Sequence, residues 1–299
     1  MRSTLSPARI FLAFVLVLLG AMLFAAITSP WLQWLLAPIN EFPLHRVFSR
    51  LTMLGVIACT AWLLIRQRLA QRELLGFHRP WPQFLQRLLL GWLAGLALMT
   101  LALVPLFLLD LREWGPRFPA DSVALLGLLL KGLGSGLLVA LIEETFFRGA
   151  LQGALQRQGA TRWALFAVPL LYSAVHFLGR AASVPFDEVH ALSGFTAWRG
   201  FFTAFAEPLR ILDAFVALYF VGLLLALVRQ RWGDLAGCIG LHAGFVAVIT
   251  VFRRISVPAP DNHWSFLVGS FDGLLGIWIA VLTAIVCIAV ARGHAWRSN

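Results

Sequence analysis

The sequence predicts an all-α fold, a polytopic membrane helix bundle, and three observations predict it. Of the 299 residues, 60% are apolar and 13% charged, and the mean hydropathy is +0.83, outside the range of soluble domains. Apolar runs that meet the ~20-residue requirement of a spanning helix recur along the whole chain. The connections between them are short, with no polar block of soluble-domain size, so residues 1–299 read as a single membrane domain.

Taken in order, the first run follows Arg2 and Arg9 in "IFLAFVLVLLGAMLFAAITSP". Charge before an apolar stretch is signal-peptide order, but the apolar length suits an uncleaved helix at about 10–28. "WLQWLLAP", Trp31 to Pro38, is too short to cross and carries two Trp, which places it at the interface. Runs at about 47–65, 85–109, 122–156, 162–178, 208–229, 233–252 and 265–291 bring the expected crossings to eight. The longest connection, Gly179 to Pro208, mixes Phe, Trp, Gly and charge and reads as a re-entrant or interfacial flap. Cys59, Cys238 and Cys287 sit inside apolar runs at no metal-ligand spacing and read as core residues.

The net charge of +10 comes from 23 Arg and the single Lys131 against 14 acidic residues. These cations are spread through the loops, without the basic face and polar readers that nucleic acid would require, so the expected surroundings are a lipid bilayer. Sorted by alternate loops, thirteen arginines, Arg2 and Arg297 among them, fall on one side. Nine fall on the other: Arg46, Arg50, Arg112, Arg117, Arg180, Arg199, Arg210, Arg253 and Arg254. The positive-inside rule then puts both termini in the cytoplasm. The preference for Arg over Lys and the compact chain point to a bacterial inner (cell) membrane.

Removing the loop residues leaves Lys131, Glu143, Glu144, Arg148, His176, His242 and Asp272 as ionisable groups at membrane depth. An Asp, Lys or Arg there costs at least about 2.5–3.5 kcal/mol at a helix centre, so such groups pair or line a functional cavity. Glu144 and Arg148, four apart, stack on one helix face as an ion pair. Glu143, rotated by about 100°, keeps no local partner. Glu143 lies roughly 21 Å above the turn that follows its helix, and His176 roughly 22 Å above the same turn on the next, so the two are level. His242 stands roughly 14 Å up its own helix, within reach by tilt or a shorter inner end.

Taken singly, an intramembrane ion pair is structural glue and a lone His an interhelical hydrogen bond. The matched heights and the free carboxylate favour a shared site. Glu, His and His suit either a divalent metal with an open water position or direct water activation by Glu143 and His176, with His242 at the oxyanion. A proton relay would use the same residue types, but no inverted repeat accompanies them.

The same residues carry a family resemblance. "EETFFR", Glu143 to Arg148, resembles the Glu-Glu-x-x-x-Arg motif of the CPBP family of intramembrane proteases, the CAAX prenyl endopeptidases and bacteriocin-processing enzymes also called Abi proteins. "YSAVH", Tyr172 to His176, resembles its Phe-x-x-x-His motif, with Tyr for Phe. "LHAGFV", Leu241 to Val246, resembles its His-x-x-x-Asn motif in the His, with Val246 at the Asn position.

The resemblance implies a catalytic core over about 121–252 with an intramembrane active-site cavity, in a bundle of about eight helices. It implies an enzyme that cleaves peptide bonds of membrane-protein or peptide substrates, prenylated or otherwise processed. Glu143 with His176 would activate water, His242 would form part of the oxyanion site, and Glu144, Arg148 and Tyr172 would support them. The cofactor is then either none or a divalent metal on Glu143, His176 and His242. Val246 offers no donor, so Asp272 in "GSFDGLLG" on the eighth helix is a candidate to supply the missing polar group or to partner Lys131. Without that donor, a catalytically silent scaffold or immunity protein of the same fold is the alternative.

Overall fold

The computed structural model describes residues 6–179 and 182–295; Arg2, Arg180 and Arg297 of the charge tally lie outside them. The chain is a bundle of helices with one small sheet. Helix α1 (Pro7–Leu36) starts behind Ser6 with proline at its first position and runs through Pro30 without ending. Trp31 to Leu36 is therefore the last part of α1, not the separate interfacial segment the sequence predicts. Helix α2 (Leu44–Arg66) returns, and the short α3 (Arg72–Leu75) closes on Gly76, whose φ of 84° is open to glycine at little cost.

Helix α4 (Trp81–Leu108) leads to strand β1 (Arg112–Trp114). Helix α5 (Ser122–Glu144) is capped by Asp121, whose carboxylate accepts from Ala124 N at 2.7 Å. It passes without a break into a π-helical segment, Thr145–Gln152, and then α6 (Gly153–Arg157). There follow α7 (Thr161–His176), α8 (Ser193–Gly200), α9 (Pro208–Trp232), α10 (Ala236–Ile255), strand β2 (Ser256–Pro258) and α11 (Ile277–Ala295). β1 and β2 pair antiparallel, with Glu113 opposite Val257.

The expected all-α polytopic bundle is what forms; of the expected eight crossings, six are helices long and apolar enough to span among the described residues: α1, α2, α4, the continuous α5–α6 segment, α9 and α10. The other two positions hold shorter helices, the 16-residue α7 and the apolar stretch Ile277–Gly293 of α11. The exterior confirms the solvent. Leu12, Leu16 and Leu23 of α1, Leu85, Leu89 and Leu93 of α4, and Leu126, Leu130 and Leu138 of α5 all face outward, in helical stripes that suit hydrocarbon and not water.

Helix α10 is the centre of the bundle, with 67% of its apolar window buried against at most 50% for the other spans. It packs on α4, α5 and α9. The approach is close because small residues line the contacts: a Cβ on Gly240 would stand 2.0 Å from Leu88 O, and one on Gly136 2.5 Å from Ala243 O. In its described residues the long connection after α7 is packed, as expected of a flap rather than a disordered linker. It contains the turns Phe186–Glu188 and Thr203–Ala206 and α8, whose Ala197 joins Ala25, Ala26, Leu44 and Phe48 in a core of its own.

Candidate active site

The last residue of α5, the π-helical segment, the end of α7 and the middle of α10 bring the polar residues together. Glu144 ends α5 and Arg148 follows within the wider π turn, a distortion frequent at functional sites. Both side chains are fully buried, and Arg148 Nη1 donates to Glu144 Oε1 at 2.9 Å, the pair expected from their spacing. Arg148 also donates through Nη2 to Gly222 O at 3.0 Å, its guanidinium lying 4.4 Å from the centre of the Tyr172 ring. One turn on, Gln152 Nε2 donates to Ala226 O at 3.1 Å, so two side chains clip the π segment to carbonyls one turn apart on α9.

Glu144 does more than neutralise Arg148. His242 Nδ1 lies 2.8 Å from the same Oε1. A carboxylate held by an arginine only accepts, so the imidazole donates from Nδ1 and its Nε2 carries a lone pair. His176 reaches the same state by a different route. Its Nδ1 is 2.8 Å from Tyr172 O, and a carbonyl also only accepts. Both imidazoles thus have Nδ1 tied down and Nε2 free, and both Nε2 atoms face Glu143 Oε2, His176 at 3.9 Å and His242 at 4.0 Å. That Oε2 is buried and makes no hydrogen bond to the described residues. The Glu143 side chain is 30% exposed and that of His176 28%, against 5% for His242, so the first two reach the surface and the third is enclosed.

The level placement of Glu143 and His176 read from helix rise holds. His242 meets them because α10 begins deep. Asp234, just before it, has a fully buried side chain and is bonded to Arg79 and Arg87, and Leu235 N donates to Gly76 O at 3.0 Å, which draws the start of the helix under the α3–α4 connection. Arg229 is also buried and donates to Leu74 O at 2.9 Å and toward Arg148 O at 3.4 Å. By position Arg229 and Asp234 look like ordinary loop-edge charges; only their buried contacts reveal that they anchor the site from below.

Asp272 is a correction. It lies on no helix: α11 starts at Ile277, and Asp272 sits in the preceding turn, where Oδ1 accepts from Leu274 N at 2.9 Å and Leu275 N at 2.8 Å. Its other oxygen pairs with Arg253, not Lys131, and no contact joins it to Glu143, His176 or His242 among the described residues. Gly269, Gly273 and Gly276 unwind this stretch, which apolar averaging counts as helix. Val246, one turn beyond His242 on α10, is half-buried and brings only methyl groups. Of the cysteines, Cys238 and Cys287 are buried as expected, whereas Cys59 faces outward.

A divalent metal was one cofactor reading of the Glu and two His. Tetrahedral zinc, with bonds of roughly 2.0–2.2 Å, holds its donors about 3.4 Å apart. The 3.9 and 4.0 Å separations here are wider, and no group of three or more His, Cys, Asp or Glu among the described residues has metal-holding geometry. The donor chemistry suits a metal but the spacing as placed does not.

Residues 125–248 match the family model described as type II CAAX prenyl endopeptidase, Rce1-like. The matched stretch contains Glu143 to Arg148, Tyr172 to His176 and Leu241 to Val246, the three segments that converge in space. Over this stretch the match agrees with the resemblance to the CPBP family. The matched family is one of CAAX-type intramembrane proteases, and the multi-pass bundle around the matched stretch agrees with it. No curated protein and no solved structure matches the chain.

Proposed function

We propose that the protein is an intramembrane endopeptidase in which Glu143 and His176 activate the water that hydrolyses a peptide bond. One observation carries the reading: two imidazoles with Nδ1 engaged present their free Nε2 atoms to one carboxylate oxygen at 3.9 and 4.0 Å. A water reaching the exposed side of Glu143 gives its proton to that carboxylate, assisted by His176 Nε2, as its oxygen attacks the scissile carbonyl. The proton then passes to the leaving amine, so the carboxylate returns to its starting state.

The oxyanion formed in between needs a donor. His242 supplies one when its Nε2 is protonated, and the carboxylate of Glu144 at Nδ1 stabilises that imidazolium, as the aspartate does in a catalytic triad. Val246 adds nothing to this, which leaves the oxyanion site resting on a single side chain. The substrates are membrane-associated polypeptides, prenylated or otherwise processed, in keeping with the name of the matched family. The setting is a bacterial inner membrane with both termini cytoplasmic and the catalytic core over about 121–252.

Purified protein should cleave a lipid-anchored reporter peptide, with or without chelator, and Glu143→Gln should not. Cleavage by Glu143→Gln at the wild-type rate sinks the assignment, and loss of activity on chelation replaces direct water activation with metal catalysis. The absent donor at Val246 favours one alternative, a silent scaffold or immunity protein of the same fold, in which Glu143→Ala and His176→Ala keep the cellular function.

A further inference from the structure

A second polar feature lies at the opposite end of α5 from the Glu143 cluster, next to the β1–β2 sheet. Arg117, Lys131, Arg253 and Arg254 line an open cavity of about 760 Å³, with Ala124, Gly127, Leu128 and Thr250 completing its walls. Lys131, the only lysine in the chain, stands nine residues into α5, or about 14 Å from its first residue, among apolar neighbours. Arg117, Lys131 and Arg254 have no carboxylate partner among the described residues; only Arg253 has one, in Asp272.

The nearby acidic groups are committed elsewhere. Asp121 caps α5, and Asp110, Glu113 and Asp261 border a separate cavity beside β1. Arg112, close by, is not free to compensate: it is buried and donates to Ser256 O at 3.0 Å. Burial pushes its guanidinium down from the usual arginine range, with Asp272 opposing and Arg253 adding to the shift.

Three of the nine arginines on the sparser side of the charge tally, Arg117, Arg253 and Arg254, gather at this one cavity with Lys131. Side-determining charges have no need to converge; like charges sharing a cavity repel one another and are stabilised by an anion between them. We propose that this cavity binds the phosphate headgroup of an anionic phospholipid. Basic cavities between membrane helices take such headgroups, and Lys131 extends the positive surface below the headgroup level toward the phosphate-glycerol junction. The acyl chains then run along the same side of α5, where Ser135 and Leu138 follow Lys131 at helical spacing and Leu138 is 60% exposed.

The inference goes beyond the protease reading and does not depend on it. Wild-type protein in phosphatidylcholine nanodiscs is titrated with fluorescent phosphatidylglycerol and compared with Arg117→Gln/Lys131→Gln/Arg254→Gln and with Arg46→Gln/Arg50→Gln, all checked for an unchanged melting temperature. At least tenfold weaker binding by the triple variant alone supports the site. Binding within twofold of wild type, or an equal loss in Arg46→Gln/Arg50→Gln, overturns it in favour of diffuse surface charge. Inorganic phosphate at millimolar concentration serves as a competitor: failure to displace the lipid upholds a lipid site, and displacement overturns it in favour of a site for the free anion.

Discussion

Glu143 and Glu144 are chemically identical neighbours in two different regions. Glu144 belongs to a sealed network in which arginine, histidine and backbone groups are fixed at 2.8–3.0 Å, with Glu144 Oε2 and Arg148 Nε left over among the described residues. Glu143 belongs to an open cluster in which the nearest polar atoms stop at 3.9 and 4.0 Å. Close contacts hold a structure, while three acceptors that face one another without bonding are ready for a proton that is not yet there. The same residue type becomes support in one region and reagent in the other, and a rotation of one residue along a helix separates the two.

The largest expected effect comes from removing the unbonded carboxylate. Glu143→Gln lowers kcat/KM for a reporter peptide by about 10²–10⁴, the span of a general base, at an unchanged melting temperature. Arg148→Ala attacks the sealed side, leaving Glu144 buried without its cation, and destabilises by about 3–5 kcal/mol in a denaturation series in detergent. If Arg148→Ala proves stable and merely inactive, the two regions are not distinct in kind. Gly240→Val, which forces α10 away from Leu88, costs about 1–3 kcal/mol by overpacking and lowers activity through displacement of His242. Asp272→Asn is the smallest: it weakens a partly exposed pair with Arg253, costs less than about 1 kcal/mol and leaves cleavage intact.

Helix rise and spacing were enough to read the Glu144–Arg148 pair and the common level of Glu143 and His176, because both depend on the geometry of single helices joined by a short turn. The bond from Glu144 to His242 joins residues 98 apart and depends on how three helices pack, which local periodicity does not encode. Arg229 and Asp234 look like loop-edge charges by position, yet fold back under the bundle because arginines and carbonyls receive them. Asp272 failed for the opposite reason: its neighbours are apolar enough to pass for helix, while three glycines let the chain turn. The six long spans among the described residues, against eight runs, reflect the late start of α11 at Ile277 and the 16-residue length of α7.

The central position of α10 bears on biosynthesis. Membrane helices leave the ribosome in chain order, and the helix that fills the middle of this bundle is the last of the six long spans among the described residues. Until it arrives, the glycine-lined faces of α4 and α5 have nothing to close on, Arg79 and Arg87 lack Asp234, and Glu144 lacks His242. The nascent chain therefore holds open a slot for its own core, and the cluster around Glu143 cannot be assembled before most of the chain has been translated. A ribosome stalled ahead of α10 would leave an inserted, but chemically idle, half-bundle.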